Sequence, residues 1–158
     1  MMRIKAFLNP ELYAEEEGYL MILLKDALEN AGWFGSDKMY YIPNAYSDYA
    51  LVQLIQAYGY VVGIAVIALI VAVSLRILWL LRTMPQSFGK LLVLAAVTLY
   101  TCQSVYSMLM VFGVLPIIGV PLPFISYGAT PLLLNAMLIG FVLSVYRRRS
   151  MLGTVHVA

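Results

Sequence analysis

One carboxylate is singled out by its position in the sequence. Asp48 is the last acidic residue of the chain, and the 27 residues from Tyr49 to Leu75 that follow it carry no formal charge. A carboxylate at the mouth of an apolar region is a candidate general base, because partial desolvation favours proton uptake. The alternative is structural, with Ser47 or Asp48 capping the helix that follows. Both interpretations place Asp48 where an outer segment meets an apolar one.

Few other side chains that could take part in catalysis or bind a metal occur in patterns that suggest a site. The polar residues inside the uncharged stretches are most simply inter-helix hydrogen-bonding groups, which need no catalytic role; they are Gln53, Gln56, Gln103, Ser104, Ser107 and Asn135. The sequence has no glycine-rich phosphate loop, no nucleophile elbow and no cluster with metal-ligand spacing. Its one cysteine excludes an intramolecular disulfide. We therefore predict no metal site from the motifs.

The elements that position Asp48 are those of a membrane protein. The chain is 63% hydrophobic and 11% charged, which excludes an ordinary soluble enzyme and a disordered chain. A second uncharged run covers 56 residues, 91–146, and is long enough for two spans. Glycine and proline crowd into 113–131 and require a bend there. We predict an all-α integral membrane protein with three transmembrane helices, at about 50–82, 90–112 and 131–147.

Charge divides the chain into two predicted regions. Residues 1–48 carry a net charge of −4 and include an amphipathic helical segment at 20–31, whereas residues 49–158 carry +6 and form the transmembrane region. Basic residues follow the first and the last predicted spans, so these flanks are predicted to be cytoplasmic. Residues 1–48 and the loop 113–130 are then external. Because lipid cannot satisfy irregular backbone, residues 116–128 are predicted to fold back toward Asp48.

Three segments resemble the SEDS family (shape, elongation, division and sporulation; FtsW/RodA/SpoVE type). Residues 119–130 read GVPLPFISYGAT, similar to the family's GVPLPFISYGGT signature. Residues 41–49 read YIPNAYSDY and resemble its YLPxAHTDF element, and residues 18–35 are similar to the stretch ahead of it. Gln103 also falls at the family's spacing. The resemblance covers nearly the whole chain but only the carboxyl-terminal part of the family pattern.

The resemblance implies a role in bacterial cell-wall synthesis, with lipid II polymerised into glycan strands at the cytoplasmic membrane. It implies that Asp48 is the catalytic acid–base residue, that a divalent cation (Mg²⁺ or Mn²⁺) helps to neutralise the leaving pyrophosphate, and that a class B penicillin-binding transpeptidase is the partner. Membrane lipid is a further expected partner, and nucleic acid is not. The residues expected to bind substrate or line the cavity are Pro121, Pro123, Ser126, Tyr127, Gly128 and Gln103.

Departures from the family pattern keep alternatives open. The family's histidine two residues before the aspartate is Tyr46, its GEELG element reads IQAYG at 55–59, and the second glycine of SYGG is Ala129. These changes favour a truncated or diverged member. A non-catalytic membrane module that binds cell-wall synthases is one alternative to the glycosyltransferase. A lipid II flippase-like component is another, although three spans are few for an alternating-access pathway.

Overall fold

The computed structural model describes residues 17–36, 38–82 and 87–148, and throughout these ranges the regular structure is helical. Five helices occur there: α1 (Glu17–Glu29), α2 (Ala50–Tyr58), α3 (Tyr60–Leu81), α4 (Ser87–Val111) and α5 (Ala129–Arg148). The last three are long and apolar enough to cross a membrane, which confirms the predicted fold class. Residues 1–16 of the predicted outer region, and the tail from residue 149 onward, lie outside the described residues.

Helix α1 is the predicted amphipathic segment. Leu24, Ala27 and Leu28 are buried on one face, at the three- and four-residue spacing of a helix stripe. On the opposite face Lys25 and Glu29 are exposed and form an ion pair of 3.7 Å one turn apart. Such a pair contributes a few tenths of a kcal/mol, about 0.3–0.5, so burial of the apolar stripe is what fixes the helix in place.

The single helix predicted over residues 50–82 is wrong, because Gly59 divides it into α2 and α3. The Gly59 amide closes the last turn of α2 by donating to the Ile55 carbonyl over 2.8 Å. Its backbone then leaves the helix at φ +87° and ψ 176°, a region that only glycine occupies without strain. Helix α3 starts at once with Tyr60, and its 22 residues form the first candidate span.

The loop at residues 32–36 provides hydrogen-bond partners for backbone groups that the break at Gly59 leaves without a partner inside a helix. The amides of Tyr60 and Val61, in the first turn of α3, donate to the carbonyls of Gly32 and Trp33 over 3.1 and 3.3 Å. The Ser36 amide donates to the Gln56 carbonyl at the end of α2, over 2.9 Å. The segment 32–36 therefore pairs some of the backbone groups that each helix end leaves without an intrahelical partner.

The other two spans form a hairpin, and their bounds lie within a few residues of the predicted 90–112 and 131–147. Close packing of α4 on α5 is marked by Gly89, where a Cβ atom would lie 2.9 Å from Val145 Cγ1. One apolar cluster joins α3, α4 and α5 around Val93, Val97 and Val142. A second, larger cluster joins α1, α2, α4 and the loops, and it surrounds the segment that carries Asp48.

Candidate functional site

Asp48 stands at the end of a tight turn that precedes α2. The turn starts at Asn44, whose φ of 56° places it in the left-handed region that asparagine tolerates. The Asp48 amide donates to the Asn44 carbonyl over 3.0 Å, and Ile42 and Ala45 are buried beneath the turn. The backbone at Asp48 is therefore fixed by local hydrogen bonds and by apolar packing.

The capping role considered for Ser47 or Asp48 is wrong. The residue that caps α2 is Tyr49, and no side chain donates or accepts a capping hydrogen bond there. The Ser47 hydroxyl instead donates to the Asn44 carbonyl over 3.3 Å. Among the residues that the structure describes, none forms a hydrogen bond or an ion pair with the Asp48 carboxylate. The described part of the chain thus leaves both carboxylate oxygens without a polar partner.

The proline-rich loop folds back onto this segment, as predicted for residues 116–128. At Gly119 a Cβ atom would lie 3.1 Å from Asp48 Oδ2 and 3.4 Å from its Cγ. Gly119 also has φ of +72°, so an L side chain at this position would be strained and would crowd the carboxylate. Further along the loop, the Tyr127 amide donates to the Tyr46 carbonyl over 2.7 Å. Two separate contacts therefore bring the loop beside Asp48.

One face of α4 anchors the loop. Tyr100, Gln103 and Tyr106 recur at three-residue spacing, which places them along the same side of the helix. Gln103 Nε2 donates to the Pro121 carbonyl and the Tyr106 hydroxyl to the Pro116 carbonyl, each over 3.0 Å. The Tyr100 ring packs against Phe124 with centroids 6.3 Å apart. These contacts satisfy carbonyls that proline-rich backbone cannot pair within a helix.

The predicted cavity-lining residues take different positions. Pro123 and Ser126 are buried, and the Ser126 hydroxyl accepts the Leu122 amide over 2.7 Å within the loop itself. Tyr127, by contrast, leaves 82% of its surface exposed. Pro121 and Gly128 are half-buried. In the structure Gln103 and Ser126 hold the loop in shape, whereas the Tyr127 ring is free to contact a ligand.

Sequence reasoning missed Gly119 as a neighbour of Asp48 and Tyr106 as an anchor of the loop. Gly119 opens the GVPLPF segment, so its identity was visible, but its contact with a residue 71 positions earlier was not. Tyr106 lies in a span among apolar residues, and its hydroxyl gave no local sign of a partner. Both contacts depend on the return of the loop, which sequence periodicity does not encode.

The charges around Asp48 set limits on what this part of the chain can do. No lysine or arginine occurs in residues 39–75 or 91–146. Within the described ranges, no group of three histidine, cysteine or acidic side chains could hold a metal ion. An apolar groove of about 420 Å³ lies elsewhere, between Met21, Tyr60 and Gly113, and includes none of the predicted site residues.

Known proteins resemble this chain along almost its full length. One relative is the probable peptidoglycan glycosyltransferase FtsW of Trichlorobacter lovleyi, 31% identical over 92% of this chain and 40% of its own length. The FtsW protein of Geobacter sulfurreducens, with the same description, is 33% identical over 92% of this chain and 41% of its own. The peptidoglycan glycosyltransferase MrdB of Escherichia coli is 27% identical over 96% and 43%.

The chain spans about 40% of the length of the curated relatives it matches. The family model of the FtsW/RodA/SpoVE cell cycle proteins matches residues 1–151, which include Asp48 and the proline-rich loop. On this match, the chain belongs to the FtsW/RodA/SpoVE family of cell cycle proteins.

Proposed function

We propose that the chain is the acid-bearing part of a peptidoglycan glycosyltransferase, with lipid II as substrate and Asp48 as general base. The observation that carries the proposal is the position of the Asp48 carboxylate, which faces the proline-rich loop at Gly119 and has no partner among the described residues. A general base needs an oxygen within hydrogen-bond reach of the proton it removes. A carboxylate that lies beside the loop, and that no described residue pairs, supports this role.

In the proposed step, Asp48 takes the proton of the acceptor sugar's hydroxyl. The acceptor oxygen attacks the anomeric carbon of the donor, the new glycosidic bond forms, and the bond to the undecaprenyl pyrophosphate breaks with its electron pair. The pyrophosphate needs positive counter-charge, which the segments 39–75 and 91–146 lack. In this proposal that charge comes from outside the site segments, through a basic side chain or a divalent cation held by further residues.

The proposal extends to the setting of the reaction. Three membrane-spanning helices and the family match support a membrane protein, and we place it in the bacterial cytoplasmic membrane. The basic residues at the carboxyl-terminal ends of α3 and α5 support a cytoplasmic carboxyl terminus and an external Asp48. The resemblance to the SEDS family supports a class B penicillin-binding transpeptidase as the partner, which would cross-link the glycan strands that the polymerase makes.

Polymerisation of labelled lipid II tests the assignment. The 158-residue chain is reconstituted in vesicles alone, and together with a separate polypeptide that carries the portion of Escherichia coli MrdB not matched by this chain. We expect no glycan strands from the chain alone, because positioning two lipid-linked sugars takes more helices than three. We expect strands from the combination.

The matched pair of variants is Asp48→Asn and Asp26→Asn. The amide at position 48 keeps the shape of the side chain but cannot accept the proton, so strand formation should fall by roughly 100-fold or more. The same substitution at Asp26, on α1, should leave activity unchanged. Full activity of Asp48→Asn would contradict the assignment of the base and favour the non-catalytic module. Strands from the isolated chain would contradict the need for further helices.

A further inference from the structure

The segment Gly32–Gly35 presents two aromatic side chains outward from the fold. Trp33 and Phe34 leave 67% and 88% of their surfaces exposed, the latter among the most exposed aromatic residues of the described chain. Neighbouring Tyr58, at the end of α2, is also exposed. A tight turn with a bridge between Gly32 and Gly35 carries the pair. Exposed aromatic groups of this size call for an apolar or interfacial environment.

The backbone fixes this segment to the end of a membrane span. The carbonyls of Gly32 and Trp33 accept the first two amides of α3, and the Trp33 ring meets the edge of Tyr60 with centroids 6.4 Å apart. The approach is so close that a Cβ atom at Gly59 would lie only 2.5 Å from the Gly35 amide nitrogen. The depth of Trp33 in the membrane is therefore tied to the depth of Tyr60.

The second tryptophan of the chain lies at the other end of the same helix. Trp79 is 19 residues after Tyr60, a rise of about 29 Å at 1.5 Å per residue. A bilayer's hydrocarbon core is about 30 Å thick. The Trp79 ring is exposed and lies 5.4 Å below the Arg76 guanidinium, an arrangement suited to the border between lipid and water. The two tryptophans thus bracket one hydrocarbon thickness.

We propose that Trp33 and Phe34 insert into the outer interface of the lipid bilayer, in the headgroup and upper acyl-chain region. The indole ring prefers this region of a membrane, and the neighbouring phenyl ring can bury its apolar surface among the upper acyl chains. The partner is lipid rather than protein because the carbonyls of Gly32 and Trp33 accept hydrogen bonds from the first turn of a span, where we expect that span to meet the headgroups. Trp33 with Tyr60 on one side and Trp79 on the other would then set the depth of α3. The inference stands independently of the glycosyltransferase proposal.

Fluorescence quenching by brominated phospholipids tests the position of each ring. The 158-residue chain is reconstituted in phosphatidylcholine bilayers whose acyl chains carry bromine near the headgroup end or near the methyl end. The variant Trp79→Phe leaves Trp33 as the only tryptophan, and Trp33→Phe leaves Trp79. We expect both rings to be quenched at least twofold more strongly by bromine near the headgroup. Trp79 serves as the internal reference for an inserted α3.

Two results would overturn the proposal. Trp33 that is unquenched in both bilayers, while Trp79 is quenched, would show that water or a protein surface covers the loop. Trp33 that is quenched best by bromine near the methyl end would place it too deep. The variant Gly59→Ala, made in the Trp79→Phe background, displaces the loop from α3 and should weaken the quenching of Trp33. Unchanged quenching there would contradict the role of the Gly59 junction.

Discussion

Replacing Gly59 with alanine should destabilise the protein more than the same substitution at a glycine inside one of the described helices. The residue has φ of +87° and ψ of 176°, and an alanine forced into that region stores about 1–3 kcal/mol of strain. The added Cβ would also overlap the Trp33 carbonyl and the Gly35 amide nitrogen. These neighbours are backbone atoms, so they cannot rotate away as a side chain would.

The size of the loss in stability follows from the displacement of the segment that contacts Gly59. If the segment 32–35 withdraws, the amides of Tyr60 and Val61 lose their acceptors, and each lost hydrogen bond costs about 0.5–1.5 kcal/mol. Together with the backbone strain, the free energy of unfolding should fall by about 2–6 kcal/mol. The same substitution at Gly140 is the matched control, because α5 is helical there and a Cβ atom would meet nothing within 4 Å. Alanine at position 140 should raise stability by about 0.5–1 kcal/mol.

Unfolding in mixed detergent micelles, followed by far-ultraviolet circular dichroism, measures both changes. Hydrogen exchange at the amides of Tyr60 and Val61 reports the site directly, since loss of their acceptors should speed exchange in Gly59→Ala and leave it unchanged in Gly140→Ala. The reasoning is refuted if Gly59→Ala unfolds at the same detergent composition as the parent chain and keeps both amides protected. That outcome would mean that α2 and α3 can join into one helix at little cost.

Two further predictions concern buried polarity and orientation. Both polar atoms of the Gln56 side-chain amide are buried and have no hydrogen-bond partner among the described residues, so Gln56→Met should raise the free energy of unfolding by about 1–3 kcal/mol. The control is the same substitution at the half-buried Gln53, Gln53→Met. A loss of stability in Gln56→Met would instead indicate that the Gln56 amide has a polar partner in the folded protein. In a Cys102→Ala background, cysteine placed at Ser36 should react with a membrane-impermeant thiol reagent in intact cells, whereas cysteine placed at Gln86 should not. Labelling at position 86 but not at position 36 would contradict the proposed orientation.

The features predicted correctly from the sequence are those that depend on long stretches of residue type. Apolar runs of sufficient length define three spans whatever the details of packing, and the crowding of glycine and proline in 113–128 excludes a helix there. The fold-back of the loop was also predictable, since an irregular backbone near lipid needs protein partners for its carbonyls. Gln103 and Tyr106 meet that need in the structure.

The features that were missed depend on contacts between distant residues. A single glycine inside an apolar run is compatible with a continuous helix, and only the approach of the segment 32–36 explains why the chain breaks at Gly59. Likewise, Asp48 carries the residue type of a helix cap, but the turn begun by Asn44 moves the helix start to Tyr49. At Gly59 tertiary hydrogen bonds outweighed a local preference, whereas at Asp48 the competing interaction was a local turn hydrogen-bonded to the Asn44 carbonyl.

The charge division at residue 48 therefore does not mark a structural division. Leu24 and Leu28 of α1 share one buried cluster with Ile55 of α2 and with Met110 of α4. Across the same border, the Tyr60 hydroxyl donates to the Leu28 carbonyl over 2.8 Å. The turn that carries Asp48 packs on this cluster through Ile42 and Ala45, so the position of its backbone depends on the cluster. A change in the outer segment that loosens the cluster should thus shift Asp48 relative to the proline-rich loop, even where the substituted residue touches neither.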